Sequence, residues 1–582
     1  MALVAKKKAK RKLGSRSASS GSSSRETSPL RPIHQLKRAP CSIGCPNHTK
    51  VRTILTTIAQ TEDAGRTYEE SFEMAYNLFI EKNPIPATIG RVCPHPCESE
   101  CNRQYKEGSL AINNVERFIG DYAIENSLPI GKLTEDTFDE KIAVIGGGPA
   151  GISCAFQLAR RGYKNVTIFE AFDKAGGMLR YGIPDYRLPQ DLLDKEIQRV
   201  LDIGIELKTN TRIGTDIPYA KLQEDYDAIF VSLGAHKGRR LGLANEDSPN
   251  VFAGTHFLNL INSGQNVEVG DKVLVVGGGD TAIDAARIAK RLGASEVTIV
   301  YRRTRKEMPA IEPEIDGAEE EGIKIHYLVA PMELVVEDGK VVKMICQQME
   351  LGEPDSSGRR RPVPIEGETL EIETTCVIPA ISQEPDFDDL EHLREGRDWL
   401  KVNDRFATPM DKTYAGGDNV NLGLVVDALF HGRIAAETID CNFRGKEYPP
   451  DPNIPVAGKD LIDYEYYKPH ERHENVELPA EERVKKLDIE ISSTFTRDEL
   501  IDETKRCFSC GSCFDCGTCW SICQDQAIHK PVRKFEEYTF KLDLCKGCFK
   551  CAEACPCGYI EMKNPLNGEL AKRDEQRKVV YP

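Results

Sequence analysis

Residues 142–170 read IAVIGGGPAGISCAFQLARRGYKNVTIFE, in the order apolar run, glycine turn, helical pattern and second apolar run. Gly146, Gly148 and Gly151 allow a tight turn and bring a pyrophosphate close to the N–H groups of a helix N-terminus. Glu170 ends the second run, where a carboxylate accepts hydrogen bonds from ribose hydroxyls. Strand, turn, helix and acid agree, so this stretch predicts a dinucleotide site on a Rossmann-like domain.

A second stretch, residues 273–303, repeats this order and reads VLVVGGGDTAIDAARIAKRLGASEVTIVYRR. Its turn keeps the first two glycines, as Gly277 and Gly279, and has Ala282 in place of the third. No acid ends the second strand, where Arg302 and Arg303 stand instead. A guanidinium suits a 2′-phosphate, so the sequence leans toward NADP. Arginines that only face solvent would give the same pattern, and NADH stays open.

The chain contains 20 cysteines, and two runs of them have the spacing C-x2-C-x2-C-x3-C. The doubled run is typical of a ferredoxin with two 4Fe–4S clusters, in which the fourth cysteine of each run ligates the other cluster. This predicts one cluster on Cys513, Cys516, Cys519 and Cys555, and another on Cys545, Cys548, Cys551 and Cys523. Zinc is the competing interpretation, but zinc-binding C-x2-C pairs normally stand far apart and do not form triplets.

Five stretches together resemble the NAD(P)H:FAD subunit of bacterial glutamate synthase and its relatives, within the two-dinucleotide-binding flavoproteins. They are VIGGGPAG from 144, AGGMLRYGIPDYRLP from 175, VVGGGDTAIDAARIA from 275, VYRRTRKEMPA from 300 and TYAGGDNVNLG from 413. The motifs follow the family order, and the resemblance covers about residues 41–440. It implies FAD at the first site and NAD(P)H at the second, with hydride passing between them.

The resemblance also implies which residues hold the two cofactors. At the FAD site it implies Gly146, Gly148, Pro149, Ala150, Gly151, Glu170, Gly177, Met178, Arg187, Gly417 and Asp418. At the NAD(P)H site it implies Gly277, Gly279, Asp280, Thr281, Ala282, Arg302 and Arg303. Asp418 would lie near the FAD ribityl and phosphate. Hydride transfer is mainly a matter of positioning the two rings, so no catalytic acid or base is expected.

In the same family the N-terminal helical domain holds two 4Fe–4S clusters. By resemblance, Cys45, Cys93, Cys97 and the unusual ligand Glu116 hold one of them, although Glu116 as an ordinary helix-surface residue is the alternative. The second family cluster uses two cysteines upstream of Cys41, and this sequence has none there. Cys41 and Cys101 remain without a cluster, as do Cys507 and Cys510 of a segment that resembles the missing upstream element. These four would rebuild that cluster if the C-terminal module docks on the N-terminal domain.

The cysteines of the two nucleotide units separate this chain from the disulfide reductases, which place a redox pair beside the flavin. Neither unit contains CxxC or CxxxxC. Cys154, Cys346, Cys376 and Cys441 are isolated, which is typical of small buried apolar residues. Electrons that leave the flavin therefore need another route, and the clusters supply one.

The predicted fold class is α/β and multi-domain. It comprises an N-terminal α-helical iron–sulfur domain, Rossmann-like FAD and NAD(P) domains, and a C-terminal ferredoxin domain with two clusters. In the helical domain, Phe72, Ala75, Tyr76 and Phe79 fall on one face before Pro84 ends the helix. The expected boundaries are a disordered basic tail at 1–40, the helical domain at 41–135, the FAD domain at 136–265 and 405–445, the NAD(P) domain at 266–404, a linker at 446–500 and the ferredoxin domain at 501–582.

Charge and hydropathy exclude several kinds of partner. The net charge of −15 gives no chain-wide field for nucleic acid, and the one basic stretch, residues 1–38, carries eleven Lys and Arg against Glu26. No stretch approaches the roughly 20 apolar residues of a membrane span, and none reads as a signal peptide. A cytoplasmic protein is expected, and reducing cytosol favours cysteines as cluster ligands.

The predicted function is that of an iron–sulfur flavoprotein that moves electrons between NAD(P)H, FAD, 4Fe–4S clusters and a redox protein partner. The linker LPAEERVK from 478 and the cysteines of RCFSCGSC and CKGC make the layout similar to the DsrL-type proteins of dissimilatory sulfur metabolism. That resemblance implies dissimilatory sulfite reductase as partner, in either direction of flow. The alternatives are a ferredoxin:NADP or bifurcating transhydrogenase-type subunit, a glutamate-synthase-like electron-input subunit and a non-enzymatic zinc protein. A homodimer stays open.

Overall fold

The computed structural model describes residues 28–355, 358–394, 399–450 and 452–571, which form two compact units. The larger unit is Leu36–Asp515 with Pro556–Tyr559, and the smaller comprises the described residues as far as Gln35, Cys516–Cys555 and the described residues from Ile560 onward. Residues 1–27 of the expected basic tail lie outside the described residues. The expectation of disorder as far as residue 40 is wrong for its last part, where Arg31–His34 is a strand.

The N-terminal part of the larger unit is helical, as predicted. Its α-helices are Pro40–Gly44, Val51–Ala59, Tyr68–Ile80, Pro86–Val92, Pro96–Ser99 and Ile112–Glu125, and a 3-10 turn spans Asn102–Tyr105. Thr67 and Glu70 form a capping box that starts the third helix. The predicted apolar face of this helix is confirmed, because Phe72, Ala75, Tyr76 and Phe79 are all buried. They form part of the core that the helical domain shares with the first Rossmann domain.

The first Rossmann domain is built on a five-stranded parallel sheet. In spatial order its strands are Thr413–Ala415, Ala228–Val231, Phe138–Ile145, Tyr163–Phe169 and Glu206–Lys208. The strand Thr413–Ala415 comes from a distant part of the chain and closes this sheet at one edge. The helices of this domain are Pro149–Arg160, Met178–Tyr181, Gln190–Leu201, Tyr219–Asp225 and Val425–Phe443, with a 3-10 turn at Gly417–Asn419.

The second Rossmann domain has a four-stranded parallel sheet in the order Cys376–Pro379, Lys272–Val276, Glu296–Tyr301 and Lys324–Tyr327. Its helices are Gly254–Asn262, Asp280–Arg291 and Glu312–Glu320, with a 3-10 turn at Arg305–Glu307. A three-stranded antiparallel sheet, not predicted from the sequence, is inserted before the last parallel strand: Val329–Glu337, Lys340–Pro354 and Arg360–Glu373. Lys237–Gly238 pairs with Gln383–Glu384 in a short two-stranded ribbon.

The structure moves the end of the second Rossmann domain upstream of residue 404. Phe387, Leu390, Leu393 and Leu400 are buried in the same cluster as Ile145 of the first sheet. These residues, with the 3-10 turn Asp388–Leu393, therefore belong to the core of the first domain. The difference arises because a short apolar stretch does not itself reveal which of two neighbouring sheets it covers.

The segment after residue 446 is largely irregular, as expected for a linker, with a 3-10 turn at Lys459–Leu461 and a helix at Ala480–Arg483. The helix Arg497–Lys505 lies against Val51–Ala59 and Ile112–Glu125 of the helical domain. The predicted ferredoxin boundary at residue 501 is therefore too early, and the smaller unit resumes at Cys516.

The smaller unit has two short helices, Thr518–Ile522 and Lys550–Glu553, which contact each other. Two antiparallel strand pairs accompany them: Ile528–His529 with Thr539–Phe540, and Arg31–His34 with Ile560–Lys563. Across the described residues of both units, no helix is long and apolar enough to cross a membrane.

Candidate functional site

The first glycine turn has a backbone that only glycine accommodates. Gly146 has a φ of +95°, and a Cβ there would lie 2.3 Å from the carbonyl oxygen of Ser232. A Cβ on Gly151 would lie 2.0 Å from the carbonyl oxygen of Gly146. The helix Pro149–Arg160 begins directly after Gly148, so its free N–H groups face the turn. This is the geometry that receives a pyrophosphate.

Glu170 follows the strand Tyr163–Phe169 and is buried. Its Oε2 accepts a hydrogen bond from the N–H of Gly147 at 2.8 Å, and its Oε1 accepts one from the N–H of Phe172 at 2.9 Å. Burial raises the pKa of the Glu170 carboxyl, while the two backbone N–H groups oppose that rise. The carboxylate is thus held against the glycine turn, where a ribose would lie.

A cavity of about 280 Å³ opens beside this turn. Nine of the eleven residues expected at the FAD site line it: Gly146, Gly148, Pro149, Ala150, Glu170, Gly177, Met178, Gly417 and Asp418. Gly151 lies behind the turn. Arg187 is elsewhere, because its guanidinium donates to Asp284 at 2.8 Å and pairs with Glu314 at 3.2 Å. The structure therefore brings together most of the expected residues and places Arg187 in a buried ion pair between the two Rossmann domains.

Two residues that line this cavity, and one that supports its wall, were not predicted from the sequence. His431, the seventh residue of the helix Val425–Phe443, accepts the N–H of Gly417 on its Nδ1 at 3.1 Å, and burial lowers the His431 pKa to about 4. His236 and Arg212 line the cavity from the loops after two strands of the sheet. Their signal in the sequence is weak, since each is an isolated residue outside any spacing motif.

Asp418 lies on the 3-10 turn Gly417–Asn419 and faces the same cavity. Its Oδ1 accepts the N–H of Gly423 at 3.3 Å. Burial raises the pKa of the Asp418 carboxyl to about 6. A half-buried acceptor of this kind can hold a ligand hydroxyl, and so these residues fit FAD.

The second glycine turn repeats the first. Gly277 has a φ of +152°, and a Cβ there would lie 2.2 Å from the carbonyl oxygen of Ala380. Gly279 precedes the helix Asp280–Arg291, which carries Thr281 and the buried Ala282 in its first turn. Asp280 accepts the N–H of Ile311 on its Oδ1 at 3.1 Å. The loop is therefore shaped for a second pyrophosphate.

The two arginines after this turn have different surroundings. Arg302 is exposed, whereas Arg303 is buried. The guanidinium of Arg303 donates to Asp355 Oδ2 at 2.7 Å and to the carbonyl oxygen of Arg360 at 2.7 Å. Of the pair predicted for a 2′-phosphate, only Arg302 presents its side chain to solvent.

The N-terminal cysteines surround a small cavity of about 20 Å³, lined by Cys45, Cys93, Cys97 and Glu116 among others. Burial raises the pKa of Cys93 to about 12 and that of Glu116 to about 8. The Oε1 of Glu116 accepts the Nδ2 of Asn83 at 2.6 Å. Three thiols and a buried carboxylate without a cationic partner among these contacts are a donor set that fits iron.

The cysteines of the second C-terminal cluster also lie together. Burial, followed by the charges of the neighbouring Cys548, Cys545 and Cys523, raises the pKa of Cys551 to about 12. The Sγ of Cys523 accepts the N–H of Ala527 at 3.3 Å. These four cysteines are one of the two predicted sets. In the other set, Cys516, Cys519 and Cys555 belong to the smaller unit and Cys513 to the larger one.

No three or more His, Cys, Asp or Glu side chains among the described residues are grouped so that they could hold a metal ion.

Comparison with known proteins gives matches over most of the larger unit. Residues 140–432 match the pyridine nucleotide-disulphide oxidoreductase family. Residues 31–128 match dihydropyrimidine dehydrogenase domain II, which carries a 4Fe-4S cluster. Both matches coincide with the domains described above, the first with the two Rossmann domains and the second with the helical domain.

Three relatives show the range of these proteins. The beta subunit of NADP(+)-dependent formate dehydrogenase from Moorella thermoacetica is 42% identical over 431 residues, which are 69% of this chain and 59% of that subunit. The beta subunit of NADPH-Fe(3+) oxidoreductase from Geobacter sulfurreducens is 34% identical, covering 81% of this chain and 75% of the relative. The small chain of NADPH glutamate synthase from Escherichia coli is 35% identical, and the match covers 69% of this chain and 87% of the relative. The chain thus spans less than two thirds of the first relative.

Proposed function

The chain belongs to the pyridine nucleotide-disulphide oxidoreductase family, among the members similar to glutamate synthase small chains, and we propose that it passes electrons from NAD(P)H to a redox protein partner. The family, the α/β multi-domain fold and the cofactors FAD, NAD(P)H and 4Fe–4S agree with the sequence predictions. The chain is an NAD(P)H-dependent oxidoreductase. The partner, the direction of flow and the ligand assignments are the proposal.

The position of the helix Val425–Phe443 supports the proposal most directly. Val425 lines the FAD cavity, and the next residue, Val426, lines the cavity of Cys45, Cys93 and Cys97. Adjacent Cα atoms are about 3.8 Å apart. The first turn of one helix is therefore the wall between the flavin site and the nearest thiol-lined site.

A second observation concerns electron transfer from the flavin to a pair of cysteines, the route of the disulfide reductases. No cysteine is among the described residues that line the FAD cavity. Cys154, the cysteine of the first glycine-turn helix, is buried in the core, and burial raises its pKa well above the ordinary value. The protein around the flavin thus offers no thiol pair for reduction, and this favours transfer to the cysteine-lined sites.

When bound, FAD takes a hydride as an electron pair and can return the electrons one at a time. The residues of this chain would position the two cofactors. The two glycine turns would hold the pyrophosphates, and Glu170 would hold a ribose. Oxidation of one NAD(P)H releases two electrons and one proton, and we propose that both electrons leave through the cysteine-held clusters.

We propose dissimilatory sulfite reductase as the partner. The support is the resemblance of the layout to the DsrL-type proteins, which combine this core with the linker from 478 and the cysteine runs from 506. A formate dehydrogenase catalytic subunit is the second candidate, because the Moorella thermoacetica beta subunit is 42% identical.

Turnover of the full-length, anaerobically purified protein tests the choice. Oxidation of NADPH and NADH would be followed at 340 nm with sulfite reductase plus sulfite, with a formate dehydrogenase catalytic subunit, or with ferredoxin. The proposal expects turnover that depends on sulfite reductase and is absent with ferredoxin. Turnover with only the formate dehydrogenase subunit or only ferredoxin would show that sulfite reductase is not the partner. If neither NADPH nor NADH bleaches the flavin, the proposed function itself is rejected.

A further inference from the structure

Four cysteines that none of the predicted clusters uses meet at one cavity. Cys41, Cys101, Cys507 and Cys510 all line a space of about 20 Å³ within the larger unit. Cys41 and Cys101 are buried, and Cys507 and Cys510 are partly buried. All four are free thiols. The rest of the lining is mostly apolar and includes the ring of Phe508.

The chain holds the C-terminal pair at this cavity through a buried arginine. Arg506 and Glu503 form an ion pair in which both side chains are 0% exposed. The guanidinium of Arg506 also donates to the carbonyl oxygens of Gly108 at 2.9 Å and Ser109 at 3.0 Å. Glu503 in turn accepts the N–H of Ala111 at 2.9 Å. These contacts fix the residues before Cys507 on the helical domain, within the larger unit.

Polar groups at the cavity are directed at the sulfur atoms. The Nδ2 of Asn102 donates to Cys510 Sγ at 3.4 Å, and the N–H of Ser509 donates to Cys507 Sγ at 3.4 Å. Arg52 donates to the carbonyl oxygen of Cys510 at 2.6 Å, which keeps a positive charge at the edge of the cavity. N–H···S hydrogen bonds and a nearby cation are what stabilise cluster-bound thiolates.

Four cysteine side chains that line one mostly apolar space match the ligand number of a 4Fe–4S cluster. As thiolates they would repel one another, and a cationic centre between them would offset that repulsion.

We propose that Cys41, Cys101, Cys507 and Cys510 jointly ligate a 4Fe–4S cluster, in addition to those predicted at the other three cysteine sets. Half of its ligands come from the helical domain and half from the segment that precedes the smaller unit. The site rests on its own geometry, and as a relay it deepens the proposed electron-transfer function. Its assembly joins two parts of the chain that lie about 400 residues apart in sequence.

Iron content of the full-length, anaerobically purified protein tests the site. Four clusters give about 16 Fe per chain, and three give about 12. We expect about 16 for the unaltered protein, about 12 for the double variant C507S/C510S and about 16 for the control C441S, which changes an isolated cysteine. Low-temperature EPR of the reduced double variant should lack one signal, while flavin content and flavin bleaching by NADPH stay unchanged.

About 12 Fe in the unaltered protein, or about 16 Fe in the double variant, would overturn the site. If the double variant does not fold, as judged by lost flavin, C41S tests the same cluster from the opposite wall and should also lose about four iron atoms. A flavin that NADPH fails to bleach would instead count against the proposed function and leave the iron count readable.

Discussion

The guanidinium of Arg303 donates to the carboxylate of Asp355 at 2.7 Å, so the inserted antiparallel sheet holds an arginine that the sequence assigns to the coenzyme. Its neighbour Arg302 is exposed at the end of the strand Glu296–Tyr301. The two arginines therefore have different roles, one in structure and one available to a phosphate.

This difference predicts the coenzyme kinetics of two variants. Arg302→Ala should raise the KM for NADPH by about tenfold or more, because a charge-assisted contact contributes about 1.5–3 kcal/mol, and should leave the KM for NADH nearly unchanged. Arg303→Ala should lower the unfolding temperature without changing the NADPH to NADH ratio. Steady-state kinetics with both coenzymes measure these KM values. An equal rise in the KM for NADPH and for NADH in the Arg302 variant would refute the role of Arg302 in binding the 2′-phosphate.

Retention of FAD should depend on Glu170. In Glu170→Gln, one carboxylate oxygen becomes an amide NH2 that faces the N–H of Gly147 or of Phe172, where an acceptor is needed. The lost hydrogen bond is expected to weaken FAD binding by about tenfold. The flavin-to-protein ratio after dialysis measures this loss, with the exposed Glu224→Gln as control. A variant that keeps its flavin as well as the control would exclude the ribose role.

Glu116 should affect one cluster and nothing else. Its carboxylate lies in the cavity of Cys45, Cys93 and Cys97. In Glu116→Gln we expect a shifted or lost EPR signal for one reduced cluster, at unchanged flavin content. Glu125→Gln, on the exposed end of the same helix, is the matched control. Identical spectra for both variants would make Glu116 an ordinary buried carboxyl.

The stability of the larger unit should depend on pH through the ionisation of Glu196. This side chain is buried and accepts the N–H groups of Ala87 at 2.8 Å and Thr88 at 2.7 Å. Burial raises its pKa from 4.5 to about 7. The folded chain therefore keeps a proton that the unfolded chain releases, and stability is lost as the pH rises from about 4.5 to about 7.

Comparison with Glu196→Gln isolates this effect, because the amide does not titrate. A shift of this size corresponds to about 3 kcal/mol. Relative to the unaltered protein, the variant should gain stability between pH 5 and pH 8, and thermal unfolding at the two pH values measures the gain. A difference in midpoint that stays constant with pH would contradict the buried titration.

Local patterns in the sequence predict much of this structure. Local backbone geometry explains the glycines of both turns. Gly146 and Gly277 need a positive φ, and Gly151 leaves room for a neighbouring carbonyl. The buried face that begins at Phe72 follows from helical spacing alone. In each case the physical cause lies within a few residues of the motif.

Other features depend on partners far away in sequence. The strand Arg31–His34 exists because Ile560–Lys563 offers it a hydrogen-bonding edge. Arg187 was expected at the flavin, yet Asp284 of the second Rossmann domain takes its guanidinium. Spacing within a segment cannot reveal such pairings, because they are decided only when the domains pack.

The pairing of Arg31–His34 with Ile560–Lys563 also bears on how the protein is made. The strand Ile560–Lys563 is synthesised long after Arg31–His34, so this strand pair cannot form until the later segment has left the ribosome. A truncation that removes Arg31–His34 would therefore expose the hydrogen-bonding edge of Ile560–Lys563, a strand far away in sequence.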